Sequence, residues 1–300
     1  MNNKLIINDL INIMHQNLVP EKRNLVGSND KQTEDGIILS PGIRDATFYE
    51  FLRNMIMKAG KIQQEYLDKY FLPQNKILFE AAFTSQAFDP INNYEIYEQI
   101  GDAALGNFLI LYFIKRFPNL MNSGGVAIIA RLKINYGSKD KLSEIAESLN
   151  FWPYISCTEE ERNKKKRHIL EDVFEAFIGV MVIITTKIIG QWQGNKVISL
   201  ILEKIFNEIP ISLNHEDLYD SKTILKEIFD SNKSLGELLY VSYPKDEYGN
   251  ILTEVFQINN GKKTLLGSGK STNKKDSEKR AAKSALELLK KKKIYINNNL

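Results

Sequence analysis

The stretch "EDVFEAFIGVMVI", Glu171–Ile183, decides how this chain is read. It opens with three carboxylates, Glu171, Asp172 and Glu175, and is otherwise almost wholly apolar. A helix that is apolar on every side belongs in a core, so acids at its mouth need a reason. One reason is electrostatic and local: carboxylates favour helix N-termini through the macrodipole. The other is a bound cation. Asp172 and Glu175 stand at i and i+3, on one helical face.

A second acidic stripe lies upstream. In "NYEIYEQIGDAAL", Asn93–Leu105, the acids Glu95, Glu98 and Asp102 fall at i, i+3 and i+7. At about 100° per residue they sit near 0°, 300° and 340°, one narrow stripe. Ile96, Ile100, Ala103 and Leu105 surround it, as Val173, Phe174, Phe177 and Ile178 surround the other pair. Like charges stacked at the edge of a core repel, and partial burial sharpens the repulsion. Neither stripe has Lys or Arg at its own i±3 or i±4 positions. A hard divalent cation such as Mg²⁺, which takes oxygen ligands, therefore fits better than a local salt bridge. The polar-face reading stays open, because spacing does not place two helices side by side.

The remainder sets the frame. A chain of 300 residues holds one large or two modest domains. Its one cysteine, Cys157, excludes an internal disulfide and cysteine-built metal sites, and it fits a reducing compartment. His15, His168 and His215 are far apart and show no metal-ligand spacing, so they read as structural or exposed. "LIINDLINIM" is short for a secretory signal and carries Asp9 within it. The longest apolar runs, near Leu105–Ile114 and Ala176–Ile184, fall short of the ~20 residues of a membrane helix. The expectation is a soluble, cytoplasmic protein without membrane contact, in the host cytoplasm if the chain is viral.

Residues 1–45 read as an extension, with a short helix over Lys4–His15 and a loop at "GSNDKQTEDG". From Asp45 to Ile209 apolar residues recur at three and four, the helical period. "DKLSEIAESLNF" is a helix with Ser138 or Asp140 as its cap. "CTEEERNKKKRH" reads as a charged loop, Asn195–Glu208 as a helix and "IPISLNHEDLYD" as a linker. After Ser221 the texture changes. "SKTILKEIFDSN" is a helix, "ELLYVSY", "ILTEVFQI" and "KKTLLGSG" are strands separated by "KDEYGN" and "NNGK" turns, and "KKDSEKRAAKSALELLKKK" is a helix. Between Gly261 and Lys293 there are twelve basic and three acidic side chains, against 28 and 34 elsewhere. An acidic body with a basic end points to a polyanionic partner.

Here a resemblance enters. "YEQIGDAAL" resembles the ribonuclease III signature, a Glu, two residues, then Gly-Asp. "EDVFEAFIG" resembles that family's second acidic motif, Asp-Val-Phe-Glu-Ala, and "LFEAAFTSQAF" resembles the segment preceding the signature. The resemblance implies that Glu98, Asp102, Asp172 and Glu175 are the catalytic carboxylates. They would hold one or two Mg²⁺ ions, with Mn²⁺ as a substitute and Glu175 most directly bound. Glu95 matches an additional acid implicated in substrate or metal contact. The chain departs from the family at Gln99-Ile100, where Phe-Leu is usual, and at Thr84-Ser85-Gln86-Ala87, where Thr-His-x-Ser is usual.

"GSGKSTNKKDSEKRAAKSAL", Gly267–Leu286, resembles the end of a double-stranded-RNA-binding domain. Lys274 and Lys275 match its basic pair, and Ala281, Ala282 and Ala285 match its buried face. "KTILKEIF" resembles its first helix, with Thr223, Lys226 and Glu227 facing an RNA minor groove. Lysines beside free N–H groups at a helix start attract phosphate, and A-form RNA is read by shape across two minor grooves. The family's Gly-Pro-x-His loop is replaced by "YGNIL".

The implied architecture is mostly α. An all-helical ribonuclease III endonuclease domain at 46–210 follows the extension at 1–45. A linker at 211–220 leads to an α-β-β-β-α double-stranded-RNA-binding domain at 221–293, and 294–300 is a tail. The implied activity is Mg²⁺-dependent cleavage of double-stranded RNA by a homodimer, leaving 5′-phosphate and 3′-hydroxyl ends with staggered cuts. A non-cleaving double-stranded-RNA-binding protein on the same fold is the alternative, and a DNA-directed nuclease with similar metal chemistry is a second. The acids, all present, favour the enzyme.

Overall fold

The structure, a computed structural model, describes residues 36–60 and 64–291. The helix expected over Lys4–His15 and the loop after it lie outside them. The chain divides into two compact units that meet at Pro210 and Ile211. Among the described residues no helix is long and apolar enough to cross a membrane.

The first unit is a helical bundle. In chain order it runs β1 (Leu39–Ser40), α1 (Ala46–Gly60), α2 (Gln64–Tyr70), α3 (Pro73–Ala82), α4 (Glu95–Arg116), α5 (Gly125–Tyr136), α6 (Lys139–Ser148), β2 (Cys157–Thr158), α7 (Glu159–Lys164), α8 (Lys166–Ile189) and α9 (Gln191–Asn207). The opening stretch lies inside α8, which is buried nearly all round from Ile169 to Thr185, as its apolar composition requires. Phe151 packs against Phe174 and Phe177, and Phe79 also reaches Phe177. A deep hydroxyl pair, Tyr70 Oη and Thr185 Oγ1, is satisfied internally at 2.8 Å.

The closest partner of α8 is α4, and two glycines set their approach. A Cβ on Gly101 would lie 1.8 Å from the carbonyl oxygen of Glu175, and one on Gly179 would lie 1.9 Å from that of Tyr97. Backbone meets backbone at both points, which only a residue without a side chain permits. The helices cross here, at residues 97–101 of α4 and 175–179 of α8.

Three expectations change. The charged segment "CTEEERNKKKRH" is not a loop. Cys157–Thr158 pairs with β1, and Thr158 caps α7 in a capping box with Glu161. The Thr-x-x-Glu spacing carried that signal beneath the charge. The end of the extension is also structured: Leu39 pairs with Thr158, and half-buried Arg44 donates to the carbonyls of Phe83 and Tyr154. Within the linker, His215–Leu218 forms a short helix, α10. The cap at Ser138 holds, its Oγ accepting from Lys141 N at 3.4 Å.

The second unit continues with α11 (Ser221–Ser231), β3 (Glu237–Ser242), β4 (Ile251–Asn259), β5 (Lys262–Ser271) and α12 (Lys274–Lys291). The strands form an antiparallel meander in the order β3-β4-β5. Ladder register slips between Val255 and Phe256, which pair with Gly267 and Leu265, so Leu266 is the extra residue of a bulge. The expected buried face of α12 is observed: Ala281, Ala282 and Ala285 are fully buried against Leu225, Ile228, Phe229 and Val255. The glycines of "GSG" explain why alanine suffices. A Cβ on Gly267 would come within 2.5 Å of Ala285 N and one on Gly269 within 2.4 Å of Ala281 N.

The α4–α8 contact yields a test. Gly101→Ala must force two backbones apart across a packed core, and overpacking of this kind costs ~3 kcal/mol or more. Denaturant unfolding should show that loss, and a loss below about 1 kcal/mol would contradict the crossing.

Candidate active site

The glycine crossing carries the acids. With α4 and α8 in contact at Gly101 and Gly179, the first turn of α4 lies beside the N-terminal half of α8, where Tyr94 reaches Asp172. The two stripes therefore meet. The charges acting most strongly on Glu98 are those of Asp172, Glu95, Glu171 and Asp102. Those acting on Glu175 are Asp102, Glu171, Glu98 and Asp172. The structure thus brings Glu98, Asp102, Asp172 and Glu175 within electrostatic reach of one another, which helical spacing alone left undecided. Glu95 and Asp102 are exposed, Glu98 is half-buried, and Asp172 and Glu175 are 4% and 7% exposed.

Burial and mutual repulsion act in the same direction here. Burial, then the neighbouring carboxylates, push Glu175 up to about 8. The same two causes raise Glu98 to about 7. Asp172 is also raised, chiefly by burial, while His168 and a hydrogen bond from Tyr94 oppose the rise. Carboxyls held so far above their ordinary range are a charge cluster short of cation. The donor set is all oxygen and of one sign. That is the chemistry of a hard divalent cation, and the residues fit Mg²⁺ or Mn²⁺ on that ground.

One corner carries its own counter-charge, supplied from another helix and not from either stripe. Lys139, at the start of α6, places Nζ 3.1 Å from Glu171 Oε2 and 3.1 Å from His168 Nδ1. His168 Nδ1 is in turn 3.1 Å from Asp172 Oδ1. His168, Glu171 and Asp172 bring ligand atoms within 4.8 Å of one another, so His168 is no bystander. Its place at i−4 from Asp172 was legible in the sequence; the contribution of Lys139, 33 residues before Asp172, was not. Nor was that of Tyr94, the buried residue at the N-cap of α4, whose hydroxyl reaches Asp172.

The departure at Ser85, next to Thr84, has a structural use. Both are buried; Thr84 Oγ1 donates to Glu80 O at 2.8 Å, and Ser85 Oγ donates to Glu161 Oε2 at 2.7 Å. Ser85 thereby ties the end of α3 to the capping box of α7.

In the second unit, Lys274 and Lys275 are exposed in the first turn of α12, where Asn273 Oδ1 accepts from Asp276 N at 2.8 Å. Lys226 and Glu227 are exposed on α11. Glu227 is engaged by His215 Nε2 at 3.0 Å, and Thr223 Oγ1 donates to its cap, Asp220, at 2.9 Å. Thr223 and Glu227 are thus held by protein partners. The "YGNIL" loop is ordered by Asp246, whose Oδ1 accepts from Tyr248 N at 3.0 Å and Asn250 N at 2.8 Å while Lys270 pairs with Oδ2 at 2.6 Å.

Comparison with known proteins agrees with both units. The family model of the Ribonuclease III domain matches residues 95–185, and that of the double-stranded RNA binding motif matches 221–289. A protein of Invertebrate iridescent virus 6 named for ribonuclease 3 is 36% identical over 278 residues, covering 87% of this chain and 93% of the viral one. The ribonuclease 3 of Limosilactobacillus fermentum is 30% identical, covering 75% of this chain and 96% of its own. The solved nuclease domain of ribonuclease III from Campylobacter jejuni covers 51% of this chain and 97% of its own at 22% identity, with a TM-score of 0.39.

The raised carboxyls fix a pH dependence. Glu98 and Glu175 hold protons in the folded state that the unfolded chain has released, from about pH 4.5 up to about pH 8. The folded state binds more protons there, so stability falls as pH rises through that window. Glu175→Gln removes one such group. In chelator, its thermal midpoint should match wild type near pH 5 and exceed it by roughly 2–4 °C near pH 8. A variant that melts below wild type at both pH values would contradict this.

Proposed function

This chain belongs to the ribonuclease III family, and on that premise we propose that it is a Mg²⁺-dependent endoribonuclease that leaves 5′-phosphate and 3′-hydroxyl ends with staggered cuts. Membership itself makes it an endoribonuclease, with a double-stranded-RNA-binding domain behind its nuclease domain. We assign 46–210 to the nuclease domain, 211–220 to a linker and 221–293 to RNA binding. Catalysis and metal holding are assigned to Glu98, Asp102, Asp172 and Glu175, and substrate contact to Glu95, Thr223, Lys226, Glu227, Lys274 and Lys275.

The observation that carries the reading is the convergence of the two acidic stripes, with Glu98 and Glu175 raised first by burial and then by carboxylates of both stripes. Mg²⁺ at such a site supplies Lewis acidity, which makes water a nucleophile near neutral pH and stabilises a departing alkoxide. The chain supplies the rest. Glu175 and Asp172, buried in α8, are held by a rigid helix and vary little in position. Glu98 is half-buried beside them, while exposed Asp102 and Glu95 face the side from which a phosphodiester arrives. The lysines at the start of α12 add attraction for phosphate that is independent of base sequence.

Each chain supplies one acidic cluster and a duplex has two strands. A symmetric homodimer places two clusters across one groove and accounts for staggered cuts. The single buried Cys157 suits the reducing cytoplasm, or the host cytoplasm for a viral chain.

Two experiments follow. Glu175→Gln should bind long duplex RNA as wild type does and cleave it ~100-fold or more slowly in Mg²⁺, a loss of about 3 kcal/mol in the barrier. If wild type with Mg²⁺ binds the duplex and leaves it intact, the nuclease assignment is wrong. Lys274→Ala with Lys275→Ala should weaken duplex binding and reduce the slope of log K against log salt by about 1 per lysine; an unchanged slope would remove these lysines from the interface.

A further inference from the structure

The acid cluster contains one member that protein groups grip from two sides. Asp172 is the most buried of the four carboxylates, and it is the one whose charge other side chains stabilise. On the inner side stands Tyr94, itself 6% exposed, at the N-cap of α4. Its backbone N–H donates to Thr84 O at 3.0 Å, and its carbonyl accepts the Glu98 N–H at 2.9 Å, so the residue is anchored at both ends of its peptide unit. From there its phenol donates to the Asp172 carboxylate. On the outer side stands His168, one turn before Asp172 on α8, with Nδ1 3.1 Å from Asp172 Oδ1. Lys139 pins this corner from α6 through Glu171 and His168.

His168 Nδ1 lies 3.1 Å from both Lys139 Nζ and Asp172 Oδ1 and serves one of them at a time. With its proton on Nδ1 the ring donates to Asp172 while the Lys139 ammonium pairs with Glu171; with Nδ1 bare it accepts from Lys139. Three elements, α4, α6 and α8, thereby converge on one carboxylate. A ligand carboxylate left to rotate would lose affinity for a cation in proportion to the orientations it samples. Partners that orient ligands are worth 10–100-fold in metal affinity or activity.

We propose that Tyr94 and His168 are positioning residues that together fix the orientation of the Asp172 carboxylate for a divalent cation held with Glu98, Asp102 and Glu175. The inference rests on the reading of these acids as a metal centre. It assigns roles to two residues that neither acidic motif contains, one before the first and one before the second.

The test measures Mn²⁺ binding to the full-length protein without RNA, by the electron paramagnetic resonance signal of free Mn²⁺ at fixed pH. Tyr94→Phe and His168→Gln should each weaken Mn²⁺ binding about 10-fold. Tyr97→Phe removes a buried phenol from the same helix, three residues on and not on a carboxylate, and should leave it unchanged. With duplex RNA, the two positioning variants should lose kcat and keep KM, and raised Mg²⁺ should restore part of the rate. A merely structural role would lower the thermal midpoint without this pattern. Mn²⁺ affinities within twofold of wild type overturn the inference while leaving the metal centre standing. Wild type that binds no Mn²⁺ overturns both. Should Tyr94→Phe fail to fold, His168→Gln, on an exposed side chain, decides the matter alone.

Discussion

Two glycines facing two carbonyls are the constraint on which the nuclease unit depends. Gly101 and Gly179 let α4 and α8 touch backbone to backbone, closer than any pair of side chains would allow. The crossing point follows from which glycine meets which residue, and it decides which acids become neighbours. A side chain at either position would separate the helices and the carboxylates with them. The chemistry of the site is therefore a consequence of packing in the core beneath it. The acids of the buried helix sit beside this crossing, Glu175 being the residue whose carbonyl meets Gly101.

The cluster works against the stability of its own fold. Two carboxyls raised toward neutral pH by burial and by neighbouring carboxylates record an unfavourable charge density. A protein retains such a feature where the charge has a use, and perturbed carboxylates in a shared site are the physical mark of one. The same field that disfavours the empty cluster favours a divalent cation, since binding relieves the repulsion of several pairs at once. The Lys139–Glu171–His168 corner shows the contrast. There the chain supplies its own cation, and the acid beside it is neutralised internally.

The second unit repeats the close-approach device with a helix on a strand. Gly267 and Gly269 bring β5 against α12, and the alanines complete the contact. A helix lying this flat on its sheet keeps its first turn, with Lys274 and Lys275, at the surface and free of the core. Rigid seating matters for recognition by shape, because a duplex is gripped at spacings that a loosely packed helix would not hold.

Much of this was open to reading in the residues themselves. Helical period, the Ser138 cap, the Ala face of α12 and the glycine-bounded strands are local properties, fixed by backbone preference and by the need to bury apolar faces. Each acidic stripe is local too, because side chains three and four apart share a helix face whatever the rest of the chain does. The capping box Thr158–Glu161 was equally local and was hidden only by the charge around it. What the sequence could not determine was the meeting of the stripes. That depends on a contact between residues 101 and 175 that no periodicity encodes, and on Lys139 and Tyr94 arriving at Glu171 and Asp172 from other helices. Tertiary structure decided these, because electrostatics acts through space while sequence patterns act along the chain.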